Sequence, residues 1–209
     1  MDVHAPHQPV HTWRDFAIHL TIVTIGLFIA LSLEALVEYI HHRHLVAEAR
    51  ENIHRELEAN HTAAQHDLKY TQGNIGVIVN NIKTLHAIQA APHGSHYSIT
   101  NTIEFESFSN AAWRTARDTG ALGYMPYDEV QRYSDLYASQ DLVDQHVDAI
   151  FERNILAQAP FDMGIDPTAF SPTQYLDLLR SNAEIQAELT TLTQIIQQYD
   201  AQSLDVLKH

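Results

Sequence analysis

Hydrophobic and polar positions along this chain fall into one long apolar block followed by a series of helix-spaced stripes. The block, FAIHLTIVTIGLFIALSLEAL, runs from Phe16 to Leu36. At about 1.5 Å rise per residue, roughly 20 residues cross a hydrocarbon core of about 30 Å, so the block predicts a membrane-spanning helix. Beyond it Leu45, Ala49, Ile53 and Leu57 recur every four residues and extend the helix as an amphipathic one. Ala64 and Leu68 prolong that face, and Gly73 marks its expected end. Ile75, Ile78, Val79, Ile82, Leu85 and Ile88 predict a second helix, and 91–102 a loop. Phe105, Phe108, Ala112 and Ala116 predict a short helix closed by Gly120. Pro126, Asp128 and Glu129 open another, carried by Val130, Tyr133, Leu136 and Tyr137. After a break near Ser139 it continues through Val143, Val147, Ile150 and Ile155 to a second loop at 160–172.

The last helix has the clearest grammar. Ser171 is a favourable N-cap and Pro172 a favourable first position. Tyr175, Leu178, Asn182, Ile185, Leu189, Leu192, Ile196 and Tyr199 then alternate three- and four-residue steps, the spacing of a coiled-coil seam. Such a seam packs on its own domain or joins subunits. With no period-two strand and no internal repeat, the expected fold is all-α: one N-terminal transmembrane helix continuing into an antiparallel helical bundle. The expected divisions are a short polar tail (1–13), an anchor helix (14–40) and a soluble acidic helical domain (41–209).

Trp13 and Tyr39 flank the block, where amphipathic rings favour the headgroup level. A cleaved signal peptide fits less well, because its apolar core is roughly 7–15 residues and ends at an A-x-A-like site. Lysine and arginine near the span number one on the amino side, Arg14, and three on the carboxyl side, Arg43, Arg50 and Arg55. That bias places the large domain in the cytoplasm.

Charge narrows the function classes. Twelve basic residues against 26 acidic give a net charge of −14. From His61 onward 8 basic and 18 acidic residues leave −10, a surface that repels nucleic-acid phosphates. The absence of cysteine excludes disulfides, thiolate metal sites and cysteine nucleophiles. No Gly-rich phosphate loop, GxSxG or HExxH occurs, so the chain is expected to be no enzyme and to need no cofactor.

The densest group of candidate ligands is Glu34, Glu38, His41, His42 and His44 at the end of the block. Glu38–His41 and Glu51–His54 are both E-x-x-H pairs, a spacing used by di-metal helical bundles. They lie about 20 Å apart on one helix and cannot share a metal within one chain. Glu34 reads as a headgroup-level carboxylate or a polar contact between subunits. Gly26 and Ala30 form a small-xxx-small pair that lets membrane helices approach closely. Fifteen histidines make a pH response physically reasonable, with His4, His7 and His11 in the tail and His93 and His96 in a loop. Trp113, Arg114, Arg117, Tyr124, Tyr127, Tyr133 and Tyr137 read as a packed corner with arginines paired to Asp118 or Asp128, or as a ligand groove.

TIGLFIALSLEALVE (24–38) leading into HHRH resembles the IGxxIAL-type anchor of a group of bacterial single-pass membrane proteins known by pattern rather than activity. FSNAAWRTARDTGALGYMPYDEVQRYSDLYASQ (108–140) is similar to that group's second block. The resemblance implies a bacterial inner-membrane protein and assigns no site. The expected function is assembly: a homo-oligomeric scaffold or an accessory subunit of a larger membrane complex. Its contacts would be Gly26, Ala30, Glu34, Glu38 and the Tyr175–Tyr199 seam. The alternatives are a ligand or pH sensor acting through a partner, and a Glu/His metal-dependent protein.

Overall fold

The computed structural model describes residues 13–90, 97, 99–100 and 102–208. The irregular tail expected at 1–12 and most of the loop expected at 91–102, with the histidines in both, lie outside the described residues. The chain is all-helical, with no strand among the described residues: α1 (Trp13–Ala90), α2 (Ala111–Asp118), α3 (Tyr127–Asp162) and α4 (Pro172–Val206). Short 3-10 turns occupy Ala121–Tyr124 and Pro167–Ala169. Contacts divide the chain into two units, Met1–Glu48 and Ala49–His209.

In the first unit the amino-terminal part of α1 is long and apolar enough to cross a membrane by length and composition. Its large apolar side chains, among them Ile22, Val23, Phe28, Ile29 and Leu33, are all exposed. Polar atoms within this stretch are satisfied locally. The Thr21, Thr24 and Ser32 hydroxyls donate to the carbonyls of Ala17, Leu20 and Phe28, four residues back, at 2.7–2.8 Å.

In the second unit α3 and α4 pack on each other. Their pairs step in opposite senses: Ser139 with Gln202 (2.7 Å), His146 with Glu188 (2.9 Å), and Arg153 with Glu188 (3.0 Å) and Glu184 (3.8 Å). From α1, Arg50 meets Glu129, Glu56 meets Tyr137 and Asn60 meets Gln140, so those pairs advance together along α1 and α3. Leu85 and Ile88 cluster with Tyr175 and Leu178 at the other end, where Phe161 packs edge-on to Phe170. Ser171 caps α4, as its sequence predicts, and does so in a reciprocal box with Gln174.

Three expected boundaries are overturned. α1 does not end at Gly73 but runs unbroken to Ala90. Gly73 and Gly76 are exposed with nothing near their Cβ directions, so they cost helix propensity alone, about 1 kcal/mol each. The buried face of Thr71, Asn74, Ile78, Asn81 and Leu85 carries the helix through. Phe105 and Phe108 lie on no helix: residues 102–110 have no regular structure, and α2 begins only at Ala111. α3 shows no break at Ser139, whose hydroxyl is bonded to the Asp135 carbonyl and to Gln202. Gly120 does close the short helix, in the left-handed conformation at φ 78°.

Candidate functional site: a polar ladder along α1

The buried face of α1 in the second unit keeps a strict seven-residue repeat. One row is Leu57, Ala64, Thr71, Ile78 and Leu85; the other is Ile53, Asn60, Asp67, Asn74, Asn81 and Ile88. The second row places four polar side chains inside the fold, a costly arrangement unless each is hydrogen-bonded. All four are, and to the same object: the segment between Thr100 and Ser109, here called the strap.

Asn81 Nδ2 donates to the Thr100 carbonyl (2.7 Å), and the Thr100 N–H donates back to Oδ1 (3.1 Å). Asn74 makes the same reciprocal pair with Glu104 (3.0 and 3.4 Å), and Asn60 with Ser109 (2.7 and 2.8 Å). At Asp67 the Glu106 N–H donates to Oδ1 at 2.7 Å. The contacts step down α1 as they step up the strap. The spacing follows from geometry: a seven-residue step along a helix covers about 10.5 Å, and three extended residues at about 3.3 Å cover about 10 Å. A carboxamide matches this use because it offers one donor and one acceptor to the N–H and C=O of a single extended residue.

Two further networks join the strap to every helix of the unit. Glu56 accepts from the Ser109 hydroxyl (2.7 Å), the Ala112 N–H (2.8 Å), the Trp113 N–H (3.4 Å) and the Tyr137 hydroxyl (2.6 Å). α2 has no cap from its own N-cap residue Asn110, so this carboxylate from α1 caps it and faces the positive end of its dipole. Gln140 accepts from Asn60 and from the Tyr199 hydroxyl (3.2 and 3.4 Å) and donates to the Ser109 carbonyl (3.2 Å). Asp200 receives Gln65 Nε2 at 2.6 Å and lies 2.5 Å from His61 Nδ1. Burial is the main cause that raises the pKa of the Tyr137 and Tyr199 hydroxyls, and for Tyr137 the Glu56 carboxylate adds to it, so both stay protonated donors. Phe108 stacks on Tyr199 (5.0 Å) and Trp113 on Tyr137 (5.1 Å), closing the apolar layer above them.

Of the residues singled out from sequence, Tyr175, Leu178, Asn182, Ile185, Leu189, Leu192, Ile196 and Tyr199 are all buried within the second unit. Asn182 donates to the Leu178 carbonyl of its own helix (2.9 Å). Gly26, Ala30, Glu34 and Glu38 are exposed, and Glu38 lies 4.0 Å from His42. Glu51 pairs with Arg55 and His54 with Glu58, and among the described residues no three metal-ligating side chains converge. In the aromatic–arginine block, Trp113 and Tyr137 are stacked, Arg117 pairs with Asp118 (3.2 Å) and Arg132 with Asp128 (3.1 Å), while Tyr124 and Tyr127 face outward.

A cavity of about 380 Å³ lies beside this block, walled by Arg50, His54, Glu129, Arg132 and Tyr133. Its charges are already matched: Arg50 forks onto Glu129 with two 2.6 Å bonds, Arg132 pairs with Asp128, and His54 sits 3.6 Å from Glu58. The Glu129 hydrogen bond holds the Arg50 guanidinium charged even more firmly than usual. The arrangement is a clasp between α1 and α3 rather than an open cation.

Sequence reasoning missed the ladder. Its signal was present as Asn60, Asp67, Asn74 and Asn81 at intervals of seven, but polar residues between apolar ones read as a solvated face. Comparison with family models, curated proteins and solved structures finds no match.

Proposed function

We propose that this chain is a non-enzymatic, single-pass protein of the bacterial inner membrane that acts through assembly, as a scaffold or accessory subunit. In this reading α1 anchors an antiparallel helical bundle held on the cytoplasmic side. The observation that carries it is the amino-terminal part of α1, whose apolar side chains are exposed all the way round while its hydroxyls bond back to their own helix. A helix apolar on every side is at home in lipid or against another apolar helix. The groove formed by Ile25, Phe28, Ile29, Ser32, Leu33 and Leu36, with no atom within 4 Å of where a Cβ on Gly26 would sit, supports a neighbouring helix seated along this stretch. The non-enzymatic half of the reading is supported by the use of the buried polar groups: Glu56, Asn60, Asn74, Asn81 and Gln140 all hold backbone or one another.

The test is gentle detergent extraction from the native membrane followed by native mass measurement. The expected result is resistance to alkaline carbonate washing and a defined assembly. Its mass would be a multiple of 23.7 kDa, or a fixed stoichiometry with other membrane subunits. Release by carbonate would overturn the anchor, and a lone 23.7 kDa chain would overturn assembly.

A further inference from the structure

Three of the four rungs of the ladder are closed in both directions, and one is not. Asn60, Asn74 and Asn81 each bond to both the N–H and the C=O of one strap residue. Asp67 accepts the Glu106 N–H through Oδ1, while its Oδ2 has no hydrogen-bond partner among the described residues. The side chain is fully buried, at 0% exposure. Oδ2 is the chemical counterpart of the donating Nδ2 of the other rungs, which in each of them meets a strap carbonyl. An ionised carboxylate there sets acceptor against acceptor; a protonated one has the missing donor.

We propose that Asp67 is a proton-operated rung: with a proton on Oδ2 it donates to the Glu106 carbonyl and closes the ladder as an asparagine would, and on losing that proton it loosens the strap at this point. The surroundings favour the protonated form. Burial is the largest influence and raises the Asp67 carboxyl from its ordinary value to about 6; the Glu106 charge adds to this, while the Glu106 N–H bond and the His66 charge oppose it. From the strap, then, the facing charge is Glu106, and on α1 it is His66, which pairs with Glu106 at 2.6 Å. From α4, Asp200 is engaged by His61 and Gln65, and the Tyr199 ring stacks on Phe108. From α3, the Asp144 carboxyl is itself pushed up, chiefly by burial and then by Asp141 and Asp148 of its own helix. Because the folded chain holds this proton more tightly than the unfolded one, the contribution is complete below the ordinary carboxylate range. It is lost as pH rises through about 6.

The test is amide hydrogen exchange over residues 104–107 of the full chain in detergent micelles, corrected for intrinsic rates, at pH 5 and pH 7.5. The wild-type strap is expected to lose up to about tenfold of its protection at the higher pH. Asp67→Asn should keep the low-pH protection at both, and His66→Gln should retain the wild-type loss. Unchanged wild-type protection, or an Asn variant with the wild-type pH response, would overturn the proposal. Should Asp67→Asn fail to fold, ¹³C carboxyl titration of the wild type decides. A buried aspartate titrating near 6 supports the rung, and only ordinary aspartate values would sink it.

Discussion

Replacing Glu56 by alanine should be the most damaging single change in the second unit. The carboxylate serves four donors, two of which have nowhere else to go: the buried Tyr137 hydroxyl at 2.6 Å and the Ala112 N–H at 2.8 Å. Exposed Ser109 can turn its hydroxyl to solvent, and the Trp113 contact is long (3.4 Å), so both count for less. An unpaired buried hydroxyl costs about 1–3 kcal/mol, and loss of a helix N-cap costs about 1 kcal/mol. The dipole term adds about 0.3–1 kcal/mol. The expected sum is about 2–5 kcal/mol, a large share of the roughly 5–15 kcal/mol that holds a domain folded. Tyr137→Phe leaves Glu56 with three donors and should cost about 1.5–3 kcal/mol, the range for a bond to a charged group. Glu56→Gln keeps one acceptor oxygen and lets the tyrosine reverse its hydroxyl, so it should fall between. Urea unfolding of the full chain in micelles, followed by far-ultraviolet dichroism, gives all three values. A Glu56/Tyr137 double-mutant cycle should return a coupling of about 1–2 kcal/mol. A cost below about 1 kcal/mol for Glu56→Ala would refute the view that this carboxylate caps α2 and secures α3.

Other substitutions separate the remaining arguments. Gly73→Ala should stabilise by about 0.5–1 kcal/mol, whereas Gly120→Ala should destabilise by about 1 kcal/mol. Both have open space at Cβ and differ only in the positive φ at Gly120, so equal signs in thermal melts would defeat that reasoning. Asn74→Ala removes both bonds to Glu104 and should cost about 1–3 kcal/mol, with proteolytic nicking of the full chain moving into 102–108; cleavage elsewhere alone would contradict the ladder's role. Ile29→Arg, at the centre of the exposed apolar stretch, should raise the cost of insertion by about 2.5–3.5 kcal/mol and shift the chain from the membrane to the soluble fraction; undiminished membrane recovery would count against the anchor.

α4 could be read almost residue for residue because two signals coincide there: an N-cap Ser171 followed by Pro172, and a buried row from Tyr175 to Tyr199 in which the one amide is Asn182. α1 could not, for a physical reason. Its buried row is half polar, and hydropathy periodicity detects only the half that avoids water, so Gly73 appeared to end a helix whose amphipathic face had merely changed chemistry. The strap misled in the opposite way. Phe105 and Phe108 are three apart, as on a helix, yet the backbone groups of Thr100, Glu104, Glu106 and Ser109 are spent on side chains of α1 rather than on a helix of their own. Nothing local to 100–110 announces that its hydrogen bonds go to side chains some 20–50 residues away. Glu56 was invisible for the same reason: among neighbouring Arg and Glu it looks solvated, and only the approach of the strap, α2 and α3 gives it four donors.

The ladder is also a vernier. Two scales of different pitch lie side by side, one graduated every seven residues and the other every three on average. They agree only because the rises per residue differ by about twofold. Since the rungs grip main-chain atoms, the lettering on the finer scale is free to change while its graduation is not. Lengthening α1 by one heptad would then demand about three more residues in the strap and a matching turn count in α3 and α4. A protein built this way can drift in side chains along 100–109, but it can change length only in correlated steps.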